Sequence, residues 1–282
     1  MSTSLQRTYR NLRIGIAGTV VVILVAVAVT ASRVGVLPSI SAYYYTPART
    51  VFAGALIAAA TAIVALSGRG LQRALLGAAG LFAPVIALVP TPLPAGTVPG
   101  YEGACPAGTN CVPADALPDI DVGVVTYLVV AALTVAVAVA VTSAAGTIRG
   151  SLPSLAAAAT VIAAVFAAWT WARDAFVMNA HLVAAVFFFG LVALTAVVNA
   201  FSPPRPGMPP RWRIALYWVV AVAMTVDIAV VVVAASTGLG VRAMPPSILV
   251  GETVALLLFL VFWVLQSLEK WDDADPSVLA SR

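Results

Sequence analysis

Residues 122–144 read VGVVTYLVVAALTVAVAVAVTSA, a run without a single charged side chain. A helix needs roughly 20 mostly apolar residues to cross a hydrocarbon core of about 30 Å, because each residue adds about 1.5 Å. The run shows no strict alternation of apolar and polar residues, which a membrane barrel strand would show. Backbone groups in lipid must also be bonded internally, which favours helices. The stretch therefore predicts a membrane-spanning α-helix.

Similar apolar blocks recur along the whole chain. Its 282 residues are 62% hydrophobic and 9% charged, whereas soluble domains contain about 45–50% apolar and 25% charged residues. Mean hydropathy is +1.04. We predict a single all-α domain over 1–282, a polytopic transmembrane helix bundle with about eight spanning helices. The predicted spans are 14–32, 50–67, 71–90, 122–144, 155–171, 179–201, 212–236 and 248–266.

The distribution of basic residues predicts the orientation of these spans. With the N-terminus on the cytoplasmic side, all but four of the 15 Lys and Arg residues fall inside. The four outside are Arg33, Arg49, Arg173 and Arg242. Lys and Arg are retained on the cytoplasmic side of membranes. We therefore predict a multi-pass protein of the cell (plasma) membrane with both termini cytoplasmic (N-in/C-in).

The longest predicted connection, 91–121, is external in this topology and contains both cysteines, Cys105 and Cys111. An oxidising compartment favours a disulfide between them. A metal site would need more ligands than two thiols. The nearby Asp115, Asp119 and Asp121 lack the spacing of a calcium loop. We expect a disulfide-stapled loop with a solvated acidic rim.

Ionisable side chains within spans are costly, by about 2.5–3.5 kcal/mol each, and therefore mark candidate functional sites. In the predicted topology such groups lie in the outer half of the bundle, and Asp227 is the deepest, about 22 Å from the cytoplasmic edge. They predict a polar cavity open to the outside, with three tyrosines at its mouth. The candidate ligand-binding residues are Arg49, Tyr43, Tyr44, Tyr45, Arg173, Asp174, His181, Asp227 and Glu252.

Each of these residues also has a structural interpretation. Arg173 and Asp174 are compatible with an interfacial ion pair, and the tyrosines with an aromatic belt at the membrane surface. His181, the single histidine of the chain, is either a hydrogen-bonded structural group or a proton donor and acceptor beside a carboxylate. For Asp227 we predict a position facing the bundle interior, with Arg49, Arg173 or His181 as its polar partner.

Two blocks carry a resemblance to a known family. Residues 39–46 read SISAYYYT and are followed by Arg49, and residues 179–181 read NAH, with three phenylalanines at 187–189. These blocks resemble motifs in a family of uncharacterised bacterial multi-pass membrane proteins with a domain of unknown function. Relatives often have an acidic residue directly after the arginine, where this chain has Thr50. The resemblance fits the number of spans and implies no known activity.

Several classes of function are disfavoured. One histidine and two external cysteines do not supply the three protein ligands of a catalytic zinc site. The sequence contains no Gly-x-Ser-x-Gly elbow, His-Glu-x-x-His helix or P-loop. Its basic residues form no run typical of nucleic-acid binding. We expect no metal, no other cofactor and no nucleic-acid partner.

The leading hypothesis is a membrane protein that binds, senses or transports a small or lipidic ligand through the outward-facing polar cavity, with membrane lipids around it. One alternative is an intramembrane enzyme acting on a lipid or isoprenoid headgroup, with Asp227 or Glu252 as general base and Arg49 holding phosphate. Another is an accessory subunit of a cell-envelope complex, whose partner would be an envelope protein.

Overall fold

The structure, a computed structural model, describes residues 4–66, 70–94, 96–99, 105–106, 109–201, 211–237 and 246–271. Within these ranges, eight helices are long and apolar enough to cross a membrane. The prediction of an all-α bundle with eight spans is confirmed. The helices are α1 (Ser4–Val34), α2 (Arg49–Leu66), α3 (Gly70–Leu88), α4 (Leu117–Ala144), α5 (Ile148–Trp171), α6 (Arg173–Ala200), α7 (Arg211–Thr237) and α8 (Ser247–Glu269).

Four helices, α1, α4, α5 and α6, begin well before the apolar spans predicted for them. In two of them the first turn contains residues that favour a helix N-terminus: Pro118 and Asp119 in α4, and Asp174 in α6. The first backbone N–H groups of a helix have no partner within the helix, so proline loses no hydrogen bond at this position. A carboxylate near the N-terminus interacts favourably with the helix dipole. The external connection predicted to reach residue 121 therefore ends at 116.

Six helices form a closed ring in which each packs against the next, in the order α1, α2, α3, α6, α7, α8 and back to α1. The remaining two, α4 and α5, pack against each other and against α3. They are the least buried of the eight. In a membrane, this pair therefore presents most of its apolar surface to lipid.

The two terminal helices meet at one end of the bundle, which we call the terminal end. Nη1 of Arg13 donates to the carbonyl of Lys270 at 2.6 Å, and Nε of Arg10 donates to that of Trp271 at 2.7 Å. Basic side chains commonly bond the last carbonyls of a helix in this way. Both described ends of the chain therefore lie on the same side, as an even number of spans requires.

The opposite end, which we call the connection end, contains residues 35–48 and the described residues between 89 and 116. Gly35, with φ +92°, terminates α1 in the left-handed conformation that glycine adopts readily. The chain then forms a buried 3-10 helix, Ser41–Tyr45, before α2. Two short strands, β1 (Leu93–Pro94) and β2 (Asn110–Cys111), pair antiparallel.

Cys105 and Cys111 are joined by a disulfide, with their Cα atoms 5.7 Å apart. The disulfide predicted for these two cysteines of one short loop is present in the structure. Cys111 also pairs with Leu93 in the two-stranded sheet. The bridge therefore closes the loop, and the pairing of β2 with β1 attaches its Cys111 end to an earlier part of the chain.

Candidate functional site

Two cavities meet near the connection end. The larger, of about 520 Å³, is lined by α6, α7 and α8 together with residues of the connections, among them Pro38, Ser39 and Thr91. The smaller, of about 60 Å³, lies within the ring and is lined mainly by apolar side chains. We call them the polar cavity and the apolar chamber. Ser41, His181 and Glu252 line both and form the polar wall between them.

Glu252, on the second turn of α8, is held by the buried 3-10 helix. Its Oε1 accepts a hydrogen bond from Oγ of Ser41 at 2.7 Å, and its Oε2 accepts one from the backbone N–H of Ser41 at 3.1 Å. Ser39 supports the same turn, because its Oγ accepts the backbone N–H of Ala42 at 3.0 Å. The 3-10 helix is thus buried, and its first residue is bonded to a carboxylate of α8.

Asp227 lies on α7 and lines the polar cavity. Its Oδ2 is buried without a hydrogen-bond partner. Its Oδ1 faces the backbone of Gly251, where a Cβ atom would lie 3.5 Å from it. Gly251 directly precedes Glu252, so the two carboxylates stand on facing helices at neighbouring positions. Asp227 is therefore half-buried and faces the polar cavity beside α8.

His181 lies on α6 and is buried. Its Nδ1 is 2.8 Å from the carbonyl oxygen of Val89, just beyond the end of α3. A carbonyl oxygen only accepts, so Nδ1 carries the proton. In the neutral ring, Nε2 is then an acceptor. The structural interpretation accounts for Nδ1, and the residue lies on the wall between both cavities.

The apolar chamber continues from this wall toward the middle of the bundle. Phe52 of α2, Phe188 of α6 and Phe259 of α8 are among its lining side chains. Phe188 and Phe259 contact each other with ring centroids 5.4 Å apart. Ala185 and Phe189 line both spaces. A ligand with a polar head and an apolar tail would match this succession of surfaces.

The predicted placement of the three tyrosines at the cavity mouth is wrong. Tyr43, Tyr44 and Tyr45 are buried and do not line either cavity. Each hydroxyl instead donates to a backbone carbonyl of a connection or helix end, of Gly35, Leu88 and Thr91 respectively. They fasten the connection end together. Their burial also argues against an aromatic belt at the membrane surface.

The predicted positions of the two arginines also need correction. Arg49 forms an ion pair with Asp119 at 2.8 Å, and Arg173 forms one with Asp121. Each guanidinium also lies over an aromatic ring, that of Tyr44 at 4.4 Å and that of Trp169 at 4.8 Å. Neither arginine lines the polar cavity. The acidic rim thus supplies the partners of both arginines.

Two smaller predictions about this site are also wrong. Asp174 is exposed in the first turn of α6 and does not line the polar cavity. For Asp227, the structure shows no hydrogen bond to Arg49, Arg173 or His181 within the described ranges. Of the predicted charged or titratable lining residues, His181, Asp227 and Glu252 come together. Ser41 and Gly251, which position the two carboxylates, were not among the predicted site residues.

No family model, curated protein or solved structure matches this chain. Membership of the bacterial multi-pass family therefore stays a prediction from the two sequence blocks. The geometry of the polar cavity is the basis for a functional hypothesis.

Proposed function

We propose that this chain is a plasma-membrane protein that binds a small or lipidic ligand in its polar cavity, with the connection end facing the cell exterior. The observation that carries the proposal is the wall formed by Ser41, His181 and Glu252, which joins a polar cavity to an apolar chamber. Ligand sites in proteins are concave, mostly apolar and equipped with a few convergent polar groups. The larger cavity, about 520 Å³, lies within the range of small-molecule pockets.

The buried 3-10 helix Ser41–Tyr45 supports the same proposal. Interrupted helices with exposed backbone polar groups surround the substrate sites of many transporters. Here the irregular segment packs beside a cavity and bonds one of its carboxylates. The external orientation rests on the unequal distribution of basic residues among the connections.

The enzymatic alternative has lost one of its required residues. A lipid phosphatase or transferase would need a cation to hold phosphate, and Arg49 was the candidate. Arg49 instead pairs with Asp119 away from the polar cavity. No observation in the described residues favours the enzyme over a binding protein.

The proposal is tested by filling the junction of the two cavities. Ala185 lines both, so Ala185→Trp places an indole in the shared space. Ala140→Trp, at an exposed position of α4, is the matched control. Native mass spectrometry of protein purified in a mild detergent should detect a bound small molecule in the native chain and in Ala140→Trp, and its loss in Ala185→Trp. The same bound species in both variants, or none in the native chain, would refute the proposal.

A further inference from the structure

The polar cavity has an unbalanced charge. Among the described residues that line it, the charged side chains are Asp227 and Glu252, and no Lys or Arg accompanies them. Arg49 and Arg173, which the sequence placed at a similar depth, form ion pairs with Asp119 and Asp121 instead. Within the described lining, a ligand in this cavity therefore contacts two carboxyl groups and no Lys or Arg side chain.

Asp227 contributes most to this imbalance. Its Oδ2 is buried and has no hydrogen-bond partner. The residue as a whole is half-buried beside the cavity, and an ionised carboxylate inside a bilayer is costly unless it is paired. Gly251 and Val231 pack directly beside it and supply no countercharge. A ligand with a positive charge would supply the partner that the Asp227 carboxylate lacks.

Glu252 already accepts hydrogen bonds from Ser41 but can accept more. Both its oxygens accept from Ser41, and an ionised carboxylate offers about four lone-pair sites. The Ser41 bonds fix the carboxylate in one orientation on the wall. A cationic head group can therefore approach a preorganised acceptor on α8 and an unpartnered one on α7.

The size and the second compartment indicate an organic ligand. A space of about 520 Å³ far exceeds a single monatomic ion, which would also need a closed shell of oxygen ligands. Beyond the wall, the apolar chamber of about 60 Å³ has room for a short hydrocarbon segment among Phe188, Phe189 and Phe259. The acidic wall and this chamber are separate surfaces that together select an amphiphile.

Building on the proposed function, we propose that the ligand is an organic cation with an apolar tail. An ammonium or guanidinium head binds in the polar cavity beside Asp227 and Glu252. The tail enters the apolar chamber past Ala185.

The experiment uses three amphiphiles that share one tail: hexyltrimethylammonium, hexyl sulfate and hexanol. Equilibrium binding of each radiolabelled compound is measured with the full chain in nanodiscs of zwitterionic lipid, with empty nanodiscs subtracted. The native chain should bind the ammonium compound saturably, at least tenfold more tightly than the sulfate or the alcohol. This charge selectivity needs no variant and is decisive by itself.

Variants then locate the head group. Asp227→Asn and Glu252→Gln should each weaken binding of hexyltrimethylammonium by about tenfold or more, as expected for loss of a charged partner. Asp121→Asn removes an exposed carboxylate of the same end that lies outside the cavity, and should leave affinity unchanged. Equal weakening by all three variants would indicate general surface attraction and would overturn the proposal.

The tail is tested by chain length. Affinity should rise about threefold to fourfold per methylene from ethyl- to hexyltrimethylammonium, and this increase should disappear in Ala185→Trp. Binding of hexyl sulfate or hexanol equal to that of the ammonium compound, still abolished by Ala185→Trp, would overturn the cationic ligand and leave the proposed function standing. Absence of saturable binding by any of the three would also overturn the cationic amphiphile, whereas the proposed function is decided separately by the species that copurifies.

Discussion

Ser41 and Glu252 are joined by two hydrogen bonds, although 211 positions separate them in the chain. One comes from the serine hydroxyl and one from its backbone N–H, and each reaches a different oxygen of the carboxylate. The pair connects the buried 3-10 helix to α8. Both elements contribute side chains to the wall between the polar cavity and the apolar chamber. A single contact thus positions both a carboxylate and an irregular backbone segment.

Ser41→Ala should lower the stability of the folded chain. The substitution removes the shorter of the two bonds and leaves Oε1 of Glu252 without its buried donor, a loss of about 1–3 kcal/mol. The measurement is thermal unfolding in detergent, followed by circular dichroism. Ser32→Ala is the matched control, because the Ser32 hydroxyl bonds only Val29 in its own helix at an exposed site. An effect of Ser41→Ala no larger than that of Ser32→Ala would contradict the assignment.

Removing the disulfide should loosen the connection end without disturbing the spans. Cys105 and Cys111 close a short loop, for which chain entropy predicts a contribution of about 2–3 kcal/mol. In the variant with both cysteines replaced by serine, hydrogen exchange should accelerate around β1 and β2 and stay unchanged in α2 and α6. A free-thiol assay on the unreduced, denatured native chain should find no titratable thiol. Two titratable thiols would rule the bridge out.

The ion pairs of Arg49 and Arg173 should contribute little to stability and nothing to ligand binding. Their side chains are substantially exposed, 37% for Arg49 and 49% for Arg173, and exposed pairs are typically worth about 0.2–1 kcal/mol. A double-mutant cycle with Arg49→Gln and Asp119→Asn should give a coupling energy in that range that decreases with added salt. A coupling several times larger would contradict the small contribution of this pair, whereas loss of the copurified ligand in Arg49→Gln would return this arginine to the cavity.

The orientation of the bundle is tested by labelling single cysteines in intact cells, in a chain without Cys105 and Cys111. Asp115→Cys lies at the connection end and Thr147→Cys at the terminal end, and both positions are exposed. Because basic residues concentrate at the terminal end, a membrane-impermeant maleimide should modify Asp115→Cys and spare Thr147→Cys. Ser277→Cys, outside the described residues, should also be spared. The reverse pattern would invert the topology and place the polar cavity on the cytoplasmic side.

The number and type of elements followed from the sequence because long apolar runs without charge have few alternatives in lipid. Their arrangement did not follow. The apolar runs of α4 and α6 look alike in composition, yet α4 lies outside the ring and α6 forms part of it. A helix that is apolar on all sides carries no periodic signal that distinguishes a neighbour from lipid. The order of the ring was therefore beyond the reach of pattern analysis.

The site was predicted in part for a related reason. Position along a helix gives the depth of a residue, and depth correctly brought His181, Asp227 and Glu252 together. It gives no direction around the helix axis, which is why Arg49 and Arg173 were wrongly assigned to the same cavity. Their partners, Asp119 and Asp121, had been placed in a loop, whereas they lie in the first turns of α4.

Gly251→Ala should separate α7 from α8. A Cβ atom at this position would lie 2.3 Å from Cγ2 of Val231, far inside van der Waals contact. Valine in a helix has essentially one χ1 rotamer, so the methyl group cannot rotate away. The helices must move apart, at a cost of about 1–3 kcal/mol for an overpacked contact. Thermal unfolding should report this loss, and the copurified ligand should decrease because Asp227 packs against the same glycine.

Two further variants distinguish this contact from a general effect of glycine replacement. A Cβ atom added at Gly190 in α6 would meet no other atom within 4 Å, so Gly190→Ala should leave stability unchanged or raise it by up to about 1 kcal/mol through helix propensity. Adding Val231→Ala to Gly251→Ala removes the clashing methyl groups and should restore most of the lost stability. The close approach of α7 and α8 would be refuted if Gly251→Ala behaved like Gly190→Ala, because the space beside Asp227 would then already accommodate a methyl group. It would also be refuted if Val231→Ala gave no recovery, because the loss of stability would then not come from the contact with Val231.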